Sequence, residues 1–171
     1  MRSFLIPVSI NIVLAQFVLR IIIIPVKNEK HNRILKGAFI MNEVAEYLKS
    51  CGTFYLATSE EGQAHVRPFG AVCVFEGKLY IVTNNQKKVY QQMKKNGKVE
   101  ICGMHKGTWI RVEGEVKEDL RREARAAMME ENKAALSSMY TIDDNLMTVF
   151  CFEHGTATIY SFTADPKVIQ L

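Results

Sequence analysis

No two of the four cysteines in this 171-residue chain are spaced C-x-x-C, which excludes a zinc ribbon or a dithiol redox centre. Cys73, Cys102 and Cys151 lie in apolar, strand-like runs, where a buried free thiol is the ordinary outcome; Cys51 closes a helical pattern. Cys102 and His105 have a metal-like spacing in "CGMH", but no second pair completes a site, and His65 and His154 stand alone, so no metal is assigned. There is no phosphate-binding G-x-x-x-x-G-K-[ST] loop, no G-x-G-x-x-G turn and no G-x-S-x-G elbow, nor any repeat or low-complexity tract. The body also lacks an excess of either charge. Residues 41–171 hold sixteen Lys/Arg and seventeen Asp/Glu, which argues against a nucleic-acid-binding face. The formal charge of +4 arises in residues 1–40, with six Lys/Arg against Glu29.

Those forty residues differ from the rest. "FLIPVSINIVLAQFVLRIIIIPV" is apolar but interrupted by Pro7, Arg20 and Pro25; its length is marginal for a membrane span and Arg20 is costly in a bilayer. No small-residue cleavage site follows, which argues against a signal peptide. "KGAFIM" at 36–41 can be encoded as AAA-GGA-GCN-TTY-ATH-ATG, which contains a bacterial ribosome-binding sequence ahead of a start codon at Met41. Residues 1–40 are therefore read as a translated leader or non-native extension, with a membrane anchor as the alternative, and residues 41–171 as one cytoplasmic domain large enough for its own core.

Along the body, "NEVAEYLKSCG" predicts a helix capped by Asn42 and stopped at Gly52, with Val44, Leu48 and Cys51 on one face. "TFYLATS" reads as a strand, "AHVRPFGAVCVF" as one long strand and "KLYIVT" as another. A helix over 86–96 follows, capped by Asn85 and ended at "NG". "KVEICGMH" and "TWIRVEGEVKE" read as strands, the latter alternating Trp109, Arg111 and Glu113 with Ile110 and Val112. Asp119 is the expected cap of one helix running through Tyr140, and "NLMTVFCFEHGTATIYSFT" reads as a hairpin turning at "EHGT". The sum is a mainly β protein with helices (α+β): six antiparallel strands in a small closed barrel, without βαβ rhythm.

Three segments suggest a common ligand. In "HVRPFG", Arg67 precedes a proline that marks a strand edge or bulge, and Gly70 permits close approach; such an edge can hydrogen-bond a flat heterocycle. Between Thr83 and Lys88 a strand meets a helix N-terminus. Lys87 and Lys88 in a first helical turn oppose the helix dipole, at about 0.3–1 kcal/mol each, unless an anion such as a phosphate sits there. In "TWIRVEG", Trp109 and Arg111 share a strand face, a stacking surface beside a guanidinium. Each has a plainer reading: Arg67 in a surface ion pair, the lysines solvated, Trp109 packed in a core or interface.

The body, over nearly all of 41–171, resembles the pyridoxamine 5′-phosphate oxidase-like, FMN-binding split-barrel family. The likeness is carried by "VRPFGAV", "LYIVTNNQKKVYQQM", "NGKVEICG", "WIRVEGEV" and "TATIYSF", in that order. It implies a six-stranded antiparallel split β-barrel and a homodimer with FMN at the subunit interface. Arg67 falls on the family's phosphate-binding arginine, and Pro68 to Val72, through Phe69 and Gly70, on its backbone contacts to the flavin ring. Val82 and Thr83 match its strand end, and Lys87 and Lys88 its basic pair, whose dipole penalty the phosphate would offset. Trp109 stands where the true oxidases place a glutamine against the flavin, and Arg111 is the candidate for the ring's pyrimidine edge. The chain ends at "ADPKVIQL", without the arginine-tipped extension that serves the vitamin's phosphate in the true oxidases. The implied activity is FMN-dependent two-electron transfer to a small-molecule substrate other than pyridoxamine phosphate. That likeness is to the short members, including nitroimidazole-resistance and general-stress proteins. Alternatives are a deazaflavin in place of FMN, a haem-binding or haem-degrading barrel using His105 or His154, and a non-catalytic flavin-binding stress protein. No catalytic residue is assigned; His65 and Tyr140 are the candidate proton carriers.

Overall fold

The computed structural model describes residues 41–171. The assignment of residues 1–40 as a leader or an anchor lies outside the described residues. Helix α1 (41–50) leads into strands β1 (Phe54–Glu60), β2 (Gln63–Phe69), β3 (Val72–Phe75) and β4 (Lys78–Asn84). Then come α2 (Lys88–Asn96), β5 (Lys98–His105), β6 (Thr108–Asp119), α3 (Arg122–Glu131), α4 (Lys133–Leu136), β7 (Met147–Tyr160) and β8 (Lys167–Gln170). Among the described residues no helix is long and apolar enough to cross a membrane.

One antiparallel sheet runs β2-β1-β5-β6-β7-β4-β3, with β8 paired to β7. The split-barrel, mainly β reading holds, with two corrections: among the described residues there are eight strands, not six, and their sheet does not close. Its end strands β2 and β3 are joined only by Gly70 and Ala71. So short a link spans about 10 Å at most, so the sheet must coil until its two ends meet at that corner. The expected single strand "AHVRPFGAVCVF" breaks here because the chain passes from one end of the sheet to the other. Beyond the corner the ends part, and α2 packs against β1, β4 and β6.

Two buried clusters follow from this path. Leu48, Phe54, Leu56, Ile81, Ile101, Ile110 and Phe150 fill the inside of the coil. Cys73, Tyr80, Met128, Leu136 and Val149 form a second core where α3 and α4 cover the other side of β3, β4 and β7. Strand β4 is thus buried on both faces, which is why "KLYIVT" is a continuous apolar run and not an alternating one.

Other expectations give way for visible reasons. "EHGT" is no turn: β7 runs unbroken for 14 residues, and Gly155 lies opposite Gly114 of β6, where two strands approach too closely for side chains. The helix from Asp119 to Tyr140 is two helices. It breaks at Asn132, whose side-chain amide donates to the Val72 carbonyl (3.1 Å) and back to the Met128 carbonyl.

Asp119 ends β6 and does not cap α3. Its carboxylate accepts from Arg121 Nη2 (2.8 Å), the Arg121 backbone N–H (3.0 Å) and the buried Tyr80 hydroxyl (2.9 Å). The Arg121 guanidinium holds the Asp119 pKa down at about 2, below its ordinary 3.8. A depressed folded-state pKa contributes stability that is present above the unfolded value and lost as pH falls through the folded one. Asp119→Asn should therefore cost ~1–2 kcal/mol in urea unfolding at pH 7. The gap between variant and wild type should shrink steadily from about pH 4 toward pH 2, and a gap that stays constant over that range would refute this account.

Candidate functional site

At the parted ends of the sheet lies a hollow of about 370 Å³. Strand β2 contributes Arg67, Pro68 and Phe69, and the corner contributes Gly70 and Ala71. The C-terminal end of β4 contributes Val82 and the buried Thr83, and the turn before α2 contributes Lys87. Thus seven of the ten residues singled out from the sequence line one cavity: Arg67, Pro68, Phe69, Gly70, Val82, Thr83 and Lys87. Lys88 is exposed and outside it.

Trp109 and Arg111 are elsewhere, on the outer face of β6. Trp109 stacks on Tyr160, ring centroids 5.3 Å apart and 10° from parallel, with Phe162 at 5.1 Å. Arg111 pairs with Glu100 across β5, and that hydrogen-bonded carboxylate raises its pKa. Cross-strand register sets Pro68, Tyr55, Cys102 and Arg111 in one row. At about 4.8 Å per strand step, three steps separate Arg111 from Pro68 by about 14 Å.

Arg67 is held from three sides by neutral oxygens. Its Nη1 donates to the Leu56 carbonyl (3.1 Å) and to Thr58 Oγ1 (2.8 Å), and its Nη2 donates to Gln92 Oε1 (2.8 Å). Arg111, Arg121 and Arg122 each meet a carboxylate; among the described residues Arg67 meets none. Burial lowers its pKa, but a guanidinium keeps its charge in proteins. The hollow therefore contains a cation with no counter-ion from the described part of the chain.

The start of α2 adds to this. Asn85 is not its cap: the Asn85 amide donates to the Asn145 carbonyl (2.6 Å), and Asn84 Oδ1 instead accepts from the Gln86 N–H (2.8 Å). The helix begins after an extended Lys87, with no side-chain cap and no acidic residue in its first turn. Its end is as expected, with Gly97 left-handed at φ 65°. Uncapped N–H groups, Lys87 and Arg67 suit an anion better than any other ligand.

The opposite wall was not legible in advance. Ala135, Leu136, Met139 and Tyr140 of α4 and the segment after it close the hollow. Tyr140 is the candidate proton carrier found there. His65 is half-buried on β2, His105 meets the Tyr47 ring edge-on at 6.4 Å, and His154 is exposed on β7; none lines the hollow. Gln92 and Thr58 were also missed. Gln92 occupies the buried stripe of α2 with Val89 and Met93, and an amide in that apolar stripe was the available signal.

A larger hollow of about 640 Å³ lies on the outer sheet face, between β1 and β7. Glu100, Glu113 and Glu115 border it against the one cation Lys98, a net negative lining that would repel a phosphate. Among the described residues no three His, Cys, Asp or Glu side chains gather as a metal site would need.

Residues 40–158 match the family described as pyridoxamine 5′-phosphate oxidase. The chain belongs to that family. A solved NimC/NimA family protein from Clostridium acetobutylicum is 46% identical, with a TM-score of 0.77 over 84% of this chain and 99% of that one. General Stress Protein 26 from Bacillus anthracis shares the fold at 17% identity, with a TM-score of 0.60 over 78% of this chain and 98% of its own. So does a haem-binding protein from Mycobacterium smegmatis, at 14% identity and a TM-score of 0.60, over 78% of this chain and 57% of its own. A pyridoxamine 5′-phosphate oxidase-related, FMN-binding protein from Nostoc punctiforme aligns at 14% identity and a TM-score of 0.50, over 80% of this chain and 94% of its own. Among curated proteins no sequence matches. Family membership agrees with the order of motifs in the sequence, and the eight-stranded open sheet is this chain's version of the fold.

Proposed function

We propose that the chain is an FMN-binding oxidoreductase that transfers two electrons through the flavin to a small substrate other than pyridoxamine phosphate. The observation that carries this reading is the Arg67 guanidinium: half-buried in the wall of a hollow, bonded to neutral oxygens only, with Lys87 and the start of α2 beside it. A phosphate dianion fits that donor set, and family membership favours FMN as its bearer. When bound, FMN supplies the redox chemistry; the chain holds it and controls access. Arg67 and Lys87 would take the phosphate, with Thr83 at their side. The backbone of Pro68 to Val72, an edge left without a ladder partner on one side, would face the ring.

The same reading makes the protein a homodimer. Trp109 and Arg111 lie too far around the outer face to reach the hollow of their own copy. That face exposes Tyr55, Val66 and Met104, apolar side chains suited to a partner. Pressed against a second copy, it would bring Trp109 and Arg111 of the partner subunit toward the ring.

The purified full chain should be dimeric by light scattering and show flavin absorption in the near ultraviolet and blue. Mass spectrometry of the cofactor released by heat should identify FMN. A Soret band in place of flavin absorption would reject the proposal in favour of a haem protein. A colourless chain with no affinity for added FMN would reject it outright.

A further inference from the structure

The hydrogen bonds around Arg67 continue beyond it. Gln92 is 2% exposed and Thr58 5% exposed, two of the few buried polar side chains. Gln92 Oε1 accepts from Arg67 Nη2 (2.8 Å) and from Thr58 Oγ1 (2.7 Å), so both its lone pairs are used. Its Nε2 donates to Glu60 Oε2 (3.1 Å). The amide can point only one way: reversed, its NH₂ would face the guanidinium and its oxygen would face the Glu60 carboxylate. A carboxylate is therefore present nearby, but a neutral amide stands between it and the arginine.

We infer that Gln92 is a positioning residue that fixes the Arg67 guanidinium toward the hollow while leaving its positive charge uncompensated for a phosphate-bearing ligand. Glutamate has nearly the same shape and could accept the same two hydrogen bonds. It would also form a buried ion pair with Arg67 and cancel the charge that the ligand needs. Glutamine offers the acceptor geometry without the counter-charge. Thr58 completes the arrangement by accepting from Arg67 and donating to Gln92, which locks both side chains to β1. The ligand selected is one with a dianionic end; the inference rests on the FMN reading above for its identity.

The test compares FMN with riboflavin, which has the same ring and no phosphate, by quenching of flavin fluorescence on the full chain. Wild type should prefer FMN strongly, and the preference should weaken with salt. Gln92→Glu should lower the ratio of FMN to riboflavin affinity by about tenfold or more, because the phosphate then meets a neutral pair. In a Glu60→Gln background, where the new carboxylate does not lie against a second acid, its melting temperature should stay level or rise, since Arg67 has gained an acid partner. A purely structural role for Gln92 predicts the reverse: lost melting temperature with an unchanged ratio. A ratio within threefold of wild type overturns the inference. Glu60→Gln gives a second measure on a half-buried side chain. With the amide insulating Arg67, the ratio should stay within threefold of wild type; a tenfold rise would show that Glu60 already compensates Arg67 and would overturn the inference. If wild type binds neither flavin, the FMN reading itself fails, a result distinct from either variant's.

Discussion

Arg67→Ala should weaken FMN binding by about a hundredfold, about 3 kcal/mol, and leave riboflavin binding within a factor of a few. The magnitude follows from what the side chain lacks. Most arginines described here spend their charge on a carboxylate; Arg67 spends three of its five donors' worth of geometry on neutral oxygens and keeps its charge. Inside a partly enclosed hollow, a charge-assisted hydrogen bond to a dianion is roughly twice as strong as a neutral one. The stability cost should be small. Gln92 Oε1 keeps the Thr58 hydroxyl as a partner, so the lost bonds should amount to under about 1.5 kcal/mol. Arg67→Lys isolates geometry from charge. An ammonium on a flexible stem cannot reach Leu56, Thr58 and Gln92 together, so it should recover part of the FMN preference but not all. Titrations at two salt concentrations would show wild type and Arg67→Lys losing affinity with salt, and Arg67→Ala losing less. An Arg67→Ala variant that binds FMN within threefold of wild type would remove the phosphate from this hollow.

What the sequence disclosed and what it concealed divide along a physical line. Arg67, Pro68 and Lys87 could be singled out because each conflicts with its local setting: a charge and a proline in a strand, a cation at a helix start. Such conflicts are visible within a few residues. Trp109 and Arg111 were grouped with them on shared chemistry and, for Trp109, on the family resemblance; the register sets them about 14 Å round the sheet, where only a second copy would bring them to the same ligand. The wall made by Leu136, Met139 and Tyr140 was hidden because it depends on Asn132 breaking a helix to reach Val72, 60 residues away. Asn85 looked like a cap by residue type, but its partner, the Asn145 carbonyl, is equally remote. Gln92 was hidden differently: a glutamine on a helix looks solvated until its neighbours Val89 and Met93 are seen to be buried. The fold followed the same division. Strand positions came from local alternation, whereas the break at Gly70 and the unbroken β7 depend on which strands meet.

Gly114→Ala should be the most damaging small substitution in the domain. A Cβ at Gly114 would lie 2.3 Å from the His154 carbonyl oxygen and 2.9 Å from Gly155 Cα, both of them backbone. No rotamer change relieves a contact with backbone, so β6 and β7 would have to separate where each holds the other. Glycine faces glycine at that point, and a Cβ on Gly155 would meet the Glu113 carbonyl oxygen at 2.5 Å, so the approach is tight from both strands. Just beyond lies the register shift between Glu115 and Val116, where the ladder bends. Close approach and bend together let the long β7 pair with β8 along one half and β4 along the other, which is how the sheet coils far enough for its ends to meet at Gly70. The expected cost is about 3 kcal/mol or more, a fall of roughly 6–12 °C in melting temperature for a chain of this size. Gly62→Ala is the control. Gly62 has a left-handed backbone at φ +81° but open space around it, so alanine there should cost only about 1–2 kcal/mol. If the two variants melt together, the strands can spread freely at Gly114, and the coil that forms the hollow must be set somewhere other than this contact.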